Sequence, residues 1–441
     1  MRRAVLAACF LLTLVMLPAS SATPDAFPPA RALDAYIDGH VINGDFSGVV
    51  LVSQRGRRVY EKVAGFASLP FDVRNRIDTR FAVASVTKTF TAAGIALLEG
   101  EGKLKITDGL ELYLPDFPPA KKIKLWHLLA HQSGLDDPDY DAVAGRAVSA
   151  DELLAMIGAR SLRFEPGKGN RYSNAGYVAL ARVIEKVSGD RFGEFLMTRI
   201  FKPLGMKDSG TLQSGAIVQR LAEGYVPGVG TALLRPQPRD PSLLFGSGNV
   251  YSTASDLDRW LTAIDRRELF DITAEVYPFG WGRRDWFERK VLVQSGIANG
   301  YSSIILTVPA EELHVIVLMN TQSGFTADEG KTLLGIVLGH PAAVPPRRGV
   351  PAAVPRATLE QYAGDYLWGE KKVPMRIDTD GAVLTLHWGD SASGVTLTPV
   401  SGSEFLDRTS FGRIRFTAAG AVWIQEGHET AAPRAPSSRG G

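Results

Sequence analysis

The sequence predicts an α+β fold built on an antiparallel sheet, followed by a small all-β domain. Three observations carry that expectation. Strand-like apolar patterns open and close residues 23–340 while helical patterns fill the middle, with no regular βαβ alternation. A Pro-rich stretch then occupies residues 341–357, where Pro341-Ala342-Ala343-Val344-Pro345 recurs as Pro351-Ala352-Ala353-Val354-Pro355. Over residues 358–430 the pattern shortens to strands between turns. The 441 residues suffice for two such domains. A content of 45 % hydrophobic and 22 % charged residues excludes a mostly disordered chain. The single cysteine, Cys9, excludes an intramolecular disulfide or a cysteine zinc cluster.

Residues 1–22 read as a signal peptide. Arg2 and Arg3 precede an apolar run from Ala4 to Leu17, broken only by Thr13, and Ser20 and Ala22 suit a cut after Ala22. A membrane anchor is the rival reading, but the run is shorter than the about 20 residues a span needs. Leu6-Ala7-Ala8-Cys9 has the look of a lipoprotein box, yet most of the apolar run follows Cys9, which sets lipidation aside. Cleavage removes two of the 49 basic residues and none of the 47 acidic ones, leaving a formally neutral chain. Such a chain has no electrostatic reason to seek nucleic acid or anionic lipid. No later stretch is long and apolar enough to span a bilayer, so the expected product is exported, periplasmic or secreted.

The elements follow in order. A helix is expected over Arg31–Val41. Ser47–Ser53 and Arg57–Phe66 form a hairpin about Gln54-Arg55-Gly56. Phe81-Ala82-Val83-Ala84 is a short apolar lead into a helix from Ser85 to Gly100. Asp151–Ile157 and Ala175–Val187 are helical, Lys290–Gln294, Tyr301–Val308 and Leu313–Asn320 are strands, and Ala327–Leu338 is a closing helix. In the small domain, Asp380-Gly381 turns Met375–Asp378 into Ala382–Trp388. Val395–Val400, Arg413–Thr417 and Ala421–Gln425 are further strands, and residues 431–441 are expected to be a disordered tail.

Two motifs could carry chemistry. Ser85-Val86-Thr87-Lys88 is an S-x-x-K motif at a strand-to-helix junction. About one such match is expected by chance in a chain of this length. Positions i and i+3 share a helix face, so the Lys88 amine lies beside the Ser85 hydroxyl. A helix start also offers free N–H groups to an oxyanion. A serine becomes a useful nucleophile only when a base takes its proton, and lysine serves only when neutral, a state favoured by burial. The plainer reading is a helix terminus with an exposed lysine. Tyr172-Ser173-Asn174 is the only Y-x-N in the chain and precedes the helix from Ala175. A phenol there can shuttle protons and an asparagine can support a lysine or a substrate carbonyl. A simple Ser-Asn helix cap also explains the pair.

With these motifs in place, the chain resembles the serine β-lactamase and penicillin-binding-protein superfamily, in the branch of class C β-lactamases, D,D-carboxypeptidases, D-aminopeptidases and related esterases. The likeness spans about residues 31–338. It rests on FAVASVTK (81–88), LWHLLAHQSGL (125–135), FEPGKGNRYSNAG (164–176) and FGSGNVYSTASDLDRW (245–260). The resemblance implies a five-stranded antiparallel sheet flanked by helices, a helical subdomain, and a site between them. It implies Ser85 as the acylated nucleophile, Lys88 as its base, Tyr172 as proton carrier and Asn174 as polar support. The oxyanion hole would use the N–H groups of Ser85 and Ile297. The third family motif, Lys-Thr-Gly or His-Thr/Ser-Gly, is replaced by Gln294-Ser295-Gly296, and glutamine brings no positive charge.

The resulting expectation is a serine hydrolase acting through an acyl-enzyme on an ester, an amide or a D-amino-acid peptide, with no metal or organic cofactor. The alternative is a non-catalytic or weakly acylating protein that binds a peptidoglycan fragment, a β-lactam or a partner. His127 and His131 are spaced i, i+4 but lack the Glu of a zinc H-E-x-x-H helix and a third ligand. No G-x-S-x-G elbow is present. The small β domain resembles lipocalin-like appendages through Tyr362–Tyr366 and Pro399–Phe405.

Overall fold

The structure, a computed structural model, describes residues 27–269, 279–389, 394–425 and 427–436. The expected signal peptide and the end of the tail lie outside these residues. The central sheet contains β1 (Gly48–Gln54), β2 (Arg57–Ala64), β3 (Gly282–Trp286), β4 (Arg289–Ala298), β5 (Tyr301–Val308) and β6 (Leu313–Met319). Its spatial order is β3-β4-β5-β6-β1-β2 with every neighbour antiparallel. The N-terminal hairpin therefore joins the C-terminal strands, with Gly48 opposite Met319. The sheet has one strand more than the five implied. The additional strand β3 reads Gly-Arg-Arg-Asp-Trp, a composition the sequence pattern takes for loop. Its charged residues are exposed along a sheet edge, where they discourage further pairing.

Strand alternation divides the sheet between two cores. Val50, Val52, Val315 and Val317 face helices α1 (Ala30–Ile42) and α5 (Ala327–Val337) through Leu33, Ile37, Leu333 and Leu334. Val49, Leu51, Ile316 and Leu318 face the larger core formed with α2 (Thr87–Gly100), α3 (Asn174–Ser188) and α4 (Ala254–Asp265). The helix expected from Ser85 starts at Thr87. Ala84–Val86 is a tight 3-10 turn, and Ala84 is left-handed at φ 45°. Such a conformation is strained for a residue with a Cβ. It turns the chain sharply out of the strand Phe81–Ala82, which is paired to Val250–Ser252.

The C-terminal domain is an up-and-down meander of eight antiparallel strands between Gly364 and Pro433. A bridge between Tyr366 and Arg434 brings its first and last strands together. That closure corrects the expected tail: His428–Pro433 is the last strand, paired along Gly420–Gln425. Tyr366, Ile377, Leu386, Phe405, Ile414 and Trp423 fill the interior. Arg408 locks the two domains together. Its side chain is fully buried. It donates to Asp45 Oδ1 at 2.9 Å and to the carbonyls of Gly44, Gly228 and Ala232 at 2.6, 3.2 and 3.0 Å. Arg348 of the Pro-rich segment reaches the same Asp45 oxygen at 2.9 Å.

Candidate active site

The turn that carries Ser85 leads into α2 and packs against β4 at Gly296. Ser303 Oγ donates to the Val83 carbonyl at 2.7 Å and ties the turn to the sheet. Gly296 makes this approach feasible: a Cβ there would lie 2.4 Å from Val83 O and 2.7 Å from the Ser85 nitrogen. From the other side, α3 delivers Asn174 at its first turn. Ser173 caps that helix by accepting from the Gly176 N–H at 3.3 Å, so the capping reading describes this helix start.

The side chains converge on Ser85. Lys88 Nζ lies 3.1 Å from Ser85 Oγ, and Tyr172 donates its hydroxyl to the same oxygen at 2.7 Å. Lys88 also donates to Asn174 Oδ1 and to the Ser247 carbonyl, each at 2.8 Å. Lys88 is 0 % exposed, which excludes the exposed-lysine reading. Burial pushes its amine down to about 7 against the opposing pull of Asp137. Tyr172 leaves half its surface open, yet the packing about its hydroxyl pushes the phenol up to about 12, so it stays protonated at neutral pH. Its ring stacks obliquely on His131 at 4.6 Å.

Gln294 is beside the nucleophile, and Nε2 donates to the Ser85 carbonyl at 3.1 Å. Ile297, one residue past Gly296, is 42 % exposed at the end of β4. His127 and His131 are engaged separately: their Nδ1 atoms accept from the backbone N–H groups of Lys124 and Ser173, at 3.0 and 3.2 Å. Burial pushes His131 down to about 4, with the nearby Lys88 adding to the effect, which keeps the ring neutral.

Sequence reasoning missed Asp137 and Ser247. Asp137 accepts from Asn174 Nδ2 at 3.1 Å and from the Ala175 N–H at 2.7 Å. It lies two residues beyond the recognisable LWHLLAHQSGL segment, and nothing local marks it as a site residue. Ser247 acts through its backbone carbonyl, which no side-chain motif reveals, although it falls inside the recognisable segment 245–260.

A serine, a buried lysine and a tyrosine meeting between an antiparallel sheet and a helical region define a class, the serine β-lactamase and penicillin-binding-protein fold. The chain belongs to the beta-lactamase family, whose model matches residues 33–338. A penicillin-binding protein of Bacillus subtilis strain 168 is 28 % identical over 436 residues, covering 88 % of this chain and 95 % of the relative. Teichoic acid D-alanine hydrolase of Staphylococcus aureus is 27 % identical over 306 residues, 66 % of this chain and 73 % of that one. Among solved structures, the octameric penicillin-binding protein homologue from Pyrococcus abyssi superposes with a TM-score of 0.62 at 23 % identity, over 91 % of this chain and 99 % of its own. D-amino acid amidase from Ochrobactrum anthropi SV3 gives a TM-score of 0.59 at 23 % identity, over 69 % and 98 %. These two structures share the fold, and hydrolases stand among the relatives. No helix among the described residues is long and apolar enough to cross a membrane.

Proposed function

We propose that this chain is an exported serine hydrolase that opens esters or amides through an acyl-enzyme. The observation that carries the reading is the fully buried Lys88 amine, 3.1 Å from Ser85 Oγ and near-neutral in pKa. In the proposed sequence Ser85 Oγ attacks the substrate carbonyl as Lys88 takes the hydroxyl proton. The N–H groups of Ser85 and Ile297 receive the oxyanion. The Lys88 proton, relayed by Tyr172, goes to the leaving oxygen or nitrogen as its bond to carbon breaks. Water, giving its proton to the same pair, then releases the acid and regenerates Ser85.

The substrate class follows from Gln294. A neutral amide stands beside Ser85 where the family motif has a cation, so a carboxylate on the leaving group meets no fixed charge at that position. That favours D-amino-acid esters or amides over β-lactams and terminal carboxylate peptides. The names of the relatives, a D-alanine hydrolase and a D-amino acid amidase, support the same class. Export rests on the Arg2–Ala22 pattern. Intact mass of the protein after a fluorophosphonate, and separately after a penicillin, tests the reading. A fluorophosphonate adduct lost in Ser85→Ala is the expected result. No adduct on a folded protein favours the second reading, a binding protein of the same fold, to which Gln294 also points.

A further inference from the structure

We propose that Asp137 is a positioning residue: it fixes the direction of the Asn174 amide and thereby leaves the lone pair of Lys88 aimed at Ser85. The inference rests on the hydrolase reading and adds a residue to it.

A neutral lysine amine carries two N–H bonds and one lone pair. Among the described residues, Lys88 Nζ has three hydrogen-bond partners: Asn174 Oδ1 at 2.8 Å, the Ser247 carbonyl at 2.8 Å and Ser85 Oγ at 3.1 Å. A carbonyl oxygen only accepts. The two carbonyl oxygens therefore occupy both N–H bonds of the neutral amine. Ser85 is the one neighbour with a proton of its own to give, and the lone pair is left facing it. The base is aimed by elimination.

That elimination fails if the Asn174 amide turns over. Its NH2 group would then face Lys88 and compete for the lone pair. Asp137 prevents the rotation. Its Oδ2 accepts from Asn174 Nδ2 at 3.1 Å, while Oδ1 accepts from the Ala175 N–H at 2.7 Å and the Ser173 hydroxyl at 3.4 Å. Burial raises the Asp137 carboxyl, and the Ala175 N–H, Lys88 and the Asn174 amide oppose that rise; against the ionised carboxylate a flipped amide would set Asn174 Oδ1 with no proton between them, inside a mostly enclosed site where an unmade hydrogen bond is costly. The same charge also acts on the amine directly. Among the described residues, the titratable groups around Lys88 are Asp137, Tyr172, Tyr177 and His131. The two tyrosines and His131 are neutral at pH 7. Among the described residues, it is Asp137 that pulls Lys88 back toward its protonated form.

The test is the rate of Ser85 phosphonylation by a fluorophosphonate, read by intact mass from pH 5 to 9. In that step the Ser85 Oγ–P bond forms, fluoride leaves and the hydroxyl proton passes to Lys88. The wild-type rate should rise through about 7 and level off. Asp137→Asn, nearly isosteric, should lower the plateau at least ~10-fold and move the acid limb down by about one pH unit, because a negative charge near the amine is gone. A purely structural role for Asp137 would lower the reactive fraction and leave the limb in place. In an Asn174→Ala background the same change should move the plateau less than ~2-fold, since Asp137 acts through Asn174. If Asp137→Asn does not fold, Asp137→Glu replaces it: the limb should stay near 7 and the plateau rate should fall while the whole population still becomes labelled, whereas a structural role would leave an unlabelled fraction and an unchanged rate for the rest. An unreactive wild type overturns the hydrolase reading and this role together. A reactive wild type whose Asp137 variants keep both plateau and limb overturns the role of Asp137 alone.

Discussion

Lys88 is a charge-bearing group placed where a charge is poorly tolerated, and Lys88→Met makes the cost measurable. An ordinary lysine titrates at 10.5, whereas burial brings Lys88 to about 7. At about 1.4 kcal/mol per pH unit, holding the protonated amine in place costs the fold about 5 kcal/mol. Methionine removes that cost but leaves Asn174 Oδ1 and the Ser247 carbonyl without a donor, a loss of about 1–2 kcal/mol each. The variant should therefore be more stable than wild type by about 1–3 kcal/mol at pH 6, and catalytically dead. The sign reverses in direction with pH. Below about 7 the lysine is protonated in both folded and unfolded chains, so the full penalty applies. Between about 7 and 10.5 only the unfolded chain holds the proton, so wild-type stability climbs with pH. From pH 6 to 9 the wild type should gain about 3 kcal/mol on the variant. Urea unfolding at the two pH values measures this gap. Equal gaps at pH 6 and pH 9 would refute the premise that Lys88 titrates near neutrality.

Three further outcomes follow from the geometry. Gly296→Ala places a methyl group 2.7 Å from the Ser85 nitrogen, and forcing the strand off the nucleophile turn should slow acylation about 100-fold with modest loss of stability. Gln294→Lys brings an ammonium beside the Ser85 carbonyl. It should move the acid limb of acylation below 7 and produce a penicillin adduct absent from wild type, both readable by intact mass. Arg408→Met strips Asp45 and four carbonyl oxygens, those of Asn43, Gly44, Gly228 and Ala232, of a buried guanidinium and should cost about 3–5 kcal/mol in urea unfolding.

Local patterning was strong where an element's own residues determined it. Tyr301–Val308 and Arg413–Thr417 match their expected bounds, and α1 and β1 lie within a residue of theirs. It was weak where tertiary pairing decides. Gly282–Trp286 has the composition of a loop and becomes a strand because β4 offers it an edge. His428–Pro433 is strand because a barrel needs its last seam closed. The site divides the same way. Ser85, Lys88, Tyr172 and Asn174 sit in short recognisable motifs, and they meet within hydrogen-bond distance. Asp137 and the Ser247 carbonyl are defined by what they face across the fold, and linear spacing carries no such information. Gln294 was visible as a departure, but only its contact with the Ser85 carbonyl gives it a place.

The Arg408–Asp45 contact bears on how this protein can be taken apart. Cutting the chain within its proline-rich connector is the natural way to obtain a minimal catalytic fragment. A fragment cut ahead of Arg348 would retain Asp45 in the first domain, 0 % exposed in the whole protein, while losing both Arg348 and Arg408. A newly bared acid and a row of unsatisfied carbonyls would line the cut face. A fragment engineer would need to change Asp45 together with the cut, and a library that randomises the barrel while keeping Arg408 would preserve its contact with Asp45.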